Sequence, residues 1–131
     1  MATNEPGKTS RQLSLQAVHY LRKGMTYDGT LSVNVGTLPA GALIVPNASG
    51  AFVTTAFAGG TPQTLDIGYA DDADEYASAL VLTSAGQIEL DVETDLLVPA
   101  ERTITATLTA GATPSAGALE VVIAYIPNND G

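Results

Sequence analysis

The feature that most limits what this chain can fold into is a rhythm. Apolar and polar residues alternate in runs of strand length, and each run is cut off by Gly, Pro, Asn or Asp. Leu31, Val33 and Val35 alternate with Ser32 and Asn34; Gln87–Val92 and Thr103–Thr109 repeat the pattern. A period of two puts successive side chains on opposite faces of a strand, so each run has one face to bury. The breaks fall at Tyr27-Asp28-Gly29, Pro39-Ala40-Gly41, Asn47-Ala48-Ser49-Gly50, Gly59-Gly60-Thr61-Pro62 and residues 110–118. Gly tolerates positive φ, Pro presets φ, and Asn and Asp bond their own backbone, so these are turns with a mechanism. Between them lie Ala42–Val45, Phe52–Phe57, Thr64–Tyr69, Tyr76–Leu82, Leu96–Val98 and Leu119–Ile126. Eight or nine short strands with a turn roughly every 8–12 residues predict an all-β fold, an antiparallel β-sandwich or jelly-roll-like single domain. No strict internal repeat emerges, which disfavours a solenoid or propeller.

The first residues read differently. Residues 1–10 are polar, with Pro6 and Gly7, and read as an extended N-terminal arm. From Arg11 to Lys23, Leu13, Leu15, Ala17, His19 and Leu21 take the odd positions, which predicts a strand with one covered face. Leu13, Ala17, Tyr20 and Leu21 also share a helical face, and the period-two reading is the stronger. The chain divides into residues 1–23, a basic arm with the first strand, and residues 24–131, the sandwich. Residues 1–23 carry Lys8, Arg11, Arg22 and Lys23 against Glu5, a net +3; residues 24–131 carry Arg102 against thirteen acids, a net −12. Such a body repels nucleic acid, whereas the basic segment suits an acidic neighbouring surface.

Composition removes several function classes. Without cysteine there is no disulfide and no thiol chemistry. Zinc needs several His or Cys ligands, and His19 is the one histidine. No apolar run is long enough to span a membrane, and MATNEPGKTSRQ lacks the apolar core of a secretory signal, so synthesis in a cytoplasm is expected. Carbohydrate and single-stranded nucleic-acid platforms use aromatic faces, and two Phe, five Tyr and no Trp are few.

No catalytic signature stands out. His19 has no accompanying nucleophile motif and reads as a strand or subunit-contact residue. Asp71, Asp72, Asp74 and Glu75 are the best metal candidates, but they lack the alternating ligands, central Gly and distal Glu of an EF-hand. They read as a solvated turn whose early part forms a short Asp-capped helical turn. Paired carboxylates for glycoside hydrolysis arise by chance among fourteen acids. No enzyme, no metal and no cofactor are expected.

The run LPAGALIVPNASGAFVTTAFAGGTPQTLDIGYADDADEYASALVL is familiar. With Thr103–Leu108 and Gly117–Tyr125, it resembles small structural proteins of tailed bacteriophages over about residues 37–126. The shared pattern is an apolar strand after Leu-Pro-Ala-Gly, then Val-Thr-Thr-Ala-Phe, a Gly-rich turn, Thr-Leu-Asp-Ile-Gly, an acidic turn and Tyr-Ala-x-Ala-Leu. This chain departs from it at Pro46–Gly50, where the pattern has a continuous apolar strand. The resemblance implies a β-sandwich cement or decoration protein on the capsid exterior, often a homotrimer, with the major capsid protein as partner and no catalytic residues. Tail-fibre or baseplate β-domains and a carbohydrate-binding, lectin-like module are the alternatives. With the charge split, the resemblance makes Arg11, Leu13, Leu15, Leu21, Arg22 and Lys23 the expected capsid contacts, the acidic body facing outward.

Overall fold

The alternating segments pair into two facing antiparallel sheets. The computed structural model describes residues 18–60, 62–91, 96–111 and 113–127. Its strands are β1 (His19–Thr26), β2 (Ser32–Leu38), β3 (Leu43–Ile44), β4 (Gly50–Ala58), β5 (Thr64–Tyr69), β6 (Asp72–Val81), β7 (Gly86–Glu89), β8 (Arg102–Thr109) and β9 (Ala116–Ile126). The first sheet has the order β1-β9-β4-β7, with the two-residue β3 also on β9; the second has the order β2-β8-β5-β6. Setting β3 aside, the chain changes sheet at every connection except β5–β6, and four strands fall in each layer. Eight strands in two sheets of this order form a jelly-roll sandwich.

The core is the space between the layers, filled mainly by small aliphatics. Ile104, Ala106 and Leu108 point inward from β8 toward Leu119, Val121 and Ile123 of β9, and all six are buried. Leu38, Leu65, Ile67, Tyr76, Leu82 and Val98 complete it. Each fully buried Leu or Ile contributes about 1.5–3 kcal/mol, and aliphatic side chains suit the roughly 10 Å gap between packed sheets. On the opposite face of β8, Thr103 and Thr107 pair with Thr37 and Ser32 of β2, hydroxyl to hydroxyl at 3.0 and 3.5 Å. The β2–β8 half of the second sheet therefore shows water a hydroxyl surface.

Strand β1 closes one flank, paired from His19↔Tyr125 to Thr26↔Ala118. Its inward residues are Met25, buried, and Leu21, half-buried against the core. Leu21 rests on Gly36 at the β2 bulge, where an added Cβ would sit 2.7 Å from the leucine methyl. A turn closed by the Gly29 N–H donating to the Thr26 carbonyl carries the chain from β1 to β2, so the Asp-Gly pair bridges the two sheets.

The other flank of β9 is shared by β3 and β4, with a 3-10 turn at Pro46–Ala48 between them. This is where the sequence departs from a continuous apolar strand. Across the gap the Val45 N–H donates to the Ala124 carbonyl at 2.8 Å. The buried Ser49 Oγ accepts the Ala124 N–H at 2.9 Å and donates to the Val45 carbonyl at 2.7 Å. One side chain thus takes the place of a missing ladder bond. Gly50 follows with φ +126, and a Cβ there would collide with the Ile88 carbonyl oxygen of β7.

One expectation is corrected. The acidic segment forms no helical turn: β6 already begins at Asp72, opposite Tyr69 of β5. Burying Tyr76 and Ala77 against β5 requires extended backbone, and that outweighs the local capping preference of the aspartates. The adjustment occurs within β6, where the register slips and Ala79 takes φ 54, its N–H bonded to Asp66 Oδ1 at 2.7 Å.

Candidate functional site

The two outer faces of the sandwich differ in kind. On the first sheet, inward Leu119, Val121 and Ile123 of β9 alternate with outward Glu120 and Val122, and the pleat carries the outward row on through Ala124 and Ile126. An outward strand face is ordinarily polar; here Val122 and Ile126 are partly exposed and apolar, and Ala124 is fully buried. Tyr20 lies opposite Ala124, and Leu43 opposite Ile126. Leu43 is bridged in turn to Leu97. Val18, Tyr20, Leu43 and Leu97 are large apolar residues that remain exposed, Tyr20 at 60% and Leu97 at 62%. Contiguous apolar surface of this sort marks an interaction site more often than a solvated wall.

A groove of about 460 Å³ crosses this face, lined by Tyr20, Arg22, Phe52, Thr54, Glu120 and Val122. β1 supplies one wall, β4 the other, and β9 the floor. Within it Arg22 Nε donates to Glu120 Oε1 at 2.8 Å. Gly24 lies opposite Glu120 and lets the carboxylate run along β1; an added Cβ would stand 2.8 Å from Oε2. The Arg22 side chain is 71% exposed, so the pair contributes at most about 1 kcal/mol. Its main effect is to neutralise the groove.

The expected contact residues separate. Arg11, Leu13 and Leu15 lie outside the described residues. Leu21 faces inward, so it anchors β1 instead of offering itself to a partner. Arg22 lines the groove, and Lys23 is exposed at the β1 edge opposite Val121. Sequence reasoning did not select Tyr20, Phe52, Val122, Leu43 or Leu97. The signal for them was the near-continuous apolar run Leu119–Ile126, too apolar for a strand with one face in water.

Among the described residues, His19 and the acidic segment, singled out in the sequence, lie on different strands, β1 and β6. The His19 ring stacks on Tyr125 with centroids 5.7 Å apart. Among the described residues no three His, Asp or Glu side chains converge on a point where a metal could sit. Asp72 and Asp74 do pair. Their mutual side-chain hydrogen bond holds Asp72 below the usual carboxylate range, and the same bond plus charge repulsion pushes Asp74 above it. A second concavity, of about 340 Å³, lies near Tyr69, Asp71 and Arg102. There the Arg102 guanidinium sits 3.9 Å over the Tyr69 ring and donates to the Tyr76 hydroxyl at 2.7 Å, which ties β8 to β5 and β6. No described helix is long and apolar enough to cross a membrane.

No protein family and no curated protein sequence matches the chain. Among solved structures, a chain of the cyanophage Pam1 capsid asymmetric unit superposes with a TM-score of 0.61, covering 86% of this chain and 86% of that one at 20% identity. At that identity the two chains share a fold, and what they share is the two-sheet sandwich that carries the apolar outer face.

Proposed function

We propose that this chain is a non-catalytic structural protein of a tailed-phage virion. In that role it is a cement or decoration protein, held as a homotrimer on the outer surface of the major capsid protein lattice and stabilising the head. The observation that carries the reading is the fold shared with a chain of a phage capsid asymmetric unit, on a molecule whose distinctive surface is an apolar docking face instead of a reactive pocket. Binding only the assembled shell stabilises it by mass action, by about 2.7 kcal/mol per site when free protein exceeds the dissociation constant a hundredfold. The net charge of −9 keeps the exterior soluble and repels nucleic acid.

In this reading Arg11, Leu13 and Leu15 reach the shell together with Arg22 and Lys23 at the β1 edge, and Leu21 holds that edge to the core. The groove also gives the carbohydrate-binding alternative a foothold, since Tyr20 and Phe52 are aromatic walls. Its charged groups, however, already bond each other. The test is co-sedimentation of purified protein with particles that lack it. The full chain should saturate at a fixed copy number per particle and raise the temperature at which heads release DNA. Removing residues 1–17, which leaves β1 whole, should cut binding at least tenfold. No binding by the full chain at saturating concentration would refute the proposal.

A further inference from the structure

We infer that the outer face of the first sheet is where copies of this chain meet: the groove between Tyr20 and Phe52 receives an apolar side chain from a second copy. This deepens the homo-oligomer element of the proposed function and assigns it a surface.

Three observations lead to a second copy as the occupant. The first is shape. The face presents a projecting aromatic, Tyr20, and beside it an apolar cleft of about 460 Å³ floored by Val122. Contacts between identical subunits need knob and hole on the same molecule, and this face has both.

The second is neutrality. Two chains of net charge −9 repel, and at physiological salt the repulsion acts over about 8 Å. Asp66, Asp72, Asp74 and Glu75 lie on β5 and β6 of the other sheet. Facing sheets are about 10 Å apart, so meeting through the first sheet keeps those acids beyond the screening length. Inside the groove Arg22 and Glu120 cancel each other. A strongly charged partner gains little here, whereas a neutral apolar partner gains most.

The third is charge order across the face. Lys23 stands exposed at the β1 edge, where Arg22 is already paired with Glu120; Glu89 and Asp91, both exposed, stand at or just beyond the β7 edge. A neighbour turned so that its β1 edge meets this β7 edge pairs opposite signs. The second sheet is the less suited: β2 and β8 show threonine and serine hydroxyls, and β5 and β6 carry those acids beside a single exposed Val81.

The experiment measures the mass of the purified full chain by sedimentation over a concentration series, for wild type, Val122→Arg, Tyr20→Ala and, on the opposite face, Thr109→Arg. Circular dichroism confirms that each variant is folded. Wild type and Thr109→Arg should form the same closed oligomer. Val122→Arg, which puts a charge on the groove floor, should raise the dissociation constant at least a hundredfold, and Tyr20→Ala at least tenfold. A wild type that stays monomeric at every concentration overturns the inference, as does an oligomer that Val122→Arg leaves intact. Particle binding separates this from the virion reading. A monomeric wild type that binds particles, and loses binding on Val122→Arg, assigns the face to the shell protein and overturns self-association alone. An oligomer broken by Val122→Arg that binds no particle upholds this inference and sinks the virion reading.

Discussion

Replacing Ser49 with alanine removes a single oxygen, and its effect follows from what that oxygen holds. Ser49 is fully buried, in the gap where β9 runs past the 3-10 turn between β3 and β4. Its Oγ accepts the Ala124 N–H at 2.9 Å and donates to the Val45 carbonyl at 2.7 Å. Alanine fits the space but leaves the buried Ala124 N–H unpaired, while the Val45 carbonyl keeps the Ala48 N–H at 3.3 Å. A buried group stripped of its partner costs about 1–3 kcal/mol. At roughly 3 °C per kcal/mol for a domain of this size, the melting temperature should fall by roughly 3–9 °C. Ser32→Ala is the control: its hydroxyl meets Thr107 Oγ1 at 3.5 Å on the exposed face, so its loss should stay within about 0.5 kcal/mol. With no Trp in the chain, urea unfolding is best followed by far-ultraviolet circular dichroism. A Ser49→Ala midpoint within about 0.5 kcal/mol of wild type, at unchanged slope, would show that water or a shifted turn satisfies the groups. The account of the β3–β4 joint would then be wrong.

At the β6 bulge, Asp66→Ala should lose about 1–2 kcal/mol in urea unfolding, because the Ala79 N–H loses its acceptor. Ala79→Gly should be neutral or up to about 1 kcal/mol more stable, since relief of φ 54 exceeds the added chain entropy of glycine. The Asp72–Asp74 pair sets a pH dependence of definite sign. Asp74, raised, adds stability that is complete below its unfolded value and is lost as pH rises through its folded value; Asp72, lowered, adds stability that is lost as pH falls through its own. The pair's contribution therefore peaks near the ordinary value of 3.8 and declines on both sides. Asp74→Asn keeps a donor for Asp72 without the charge, so it should flatten the decline above that value, read as the urea midpoint; an unchanged profile would refute the pairing.

Much of the architecture was legible in the sequence because a sandwich strand announces itself by alternation. Thr103–Thr109 maps onto β8 with its aliphatics inward and its threonines outward, and the punctuation at Asp28-Gly29 and Gly59-Gly60 falls between strands. The acidic segment misled because Asp72 and Asp74 favour caps and turns locally, whereas the pairing of β6 with β5 is set by residues far away in sequence. The pattern at 11–23 also left the inward side of β1 ambiguous. Period two groups Leu21 with Leu13 and Leu15, but it does not tell a face turned to the core from one turned to a partner. Only the register His19↔Tyr125 shows Leu21 and Met25 turned to the core and Tyr20 and Arg22 turned out. The groove escaped detection for a related reason: Tyr20, Phe52 and Val122 come from three strands distant in sequence, and no spacing rule joins them.

The two outer faces explain how so acidic a chain can be held by anything at all. Alternation would have allowed both sheets to be polar outside, and β8 shows that such a surface was available: its outward threonines pair with hydroxyls of β2 and ask nothing of a partner. β9 does the opposite, with Val122 and Ile126 partly exposed and its one outward acid, Glu120, tied to Arg22. Self-repulsion makes most approaches of two copies unfavourable, so on the proposed reading the apolar face restricts contact to one orientation. Orientation then follows from where charge is absent as much as from where it is placed. A surface held this way should lose little affinity with rising salt, because apolar burial is not screened. Basic residues at the β1 edge act over the screening length and contribute at most about 1 kcal/mol each. On the proposed reading, steering by that edge and adhesion by the adjoining face are separable on one strand, with Lys23 serving the first and Tyr20 the second.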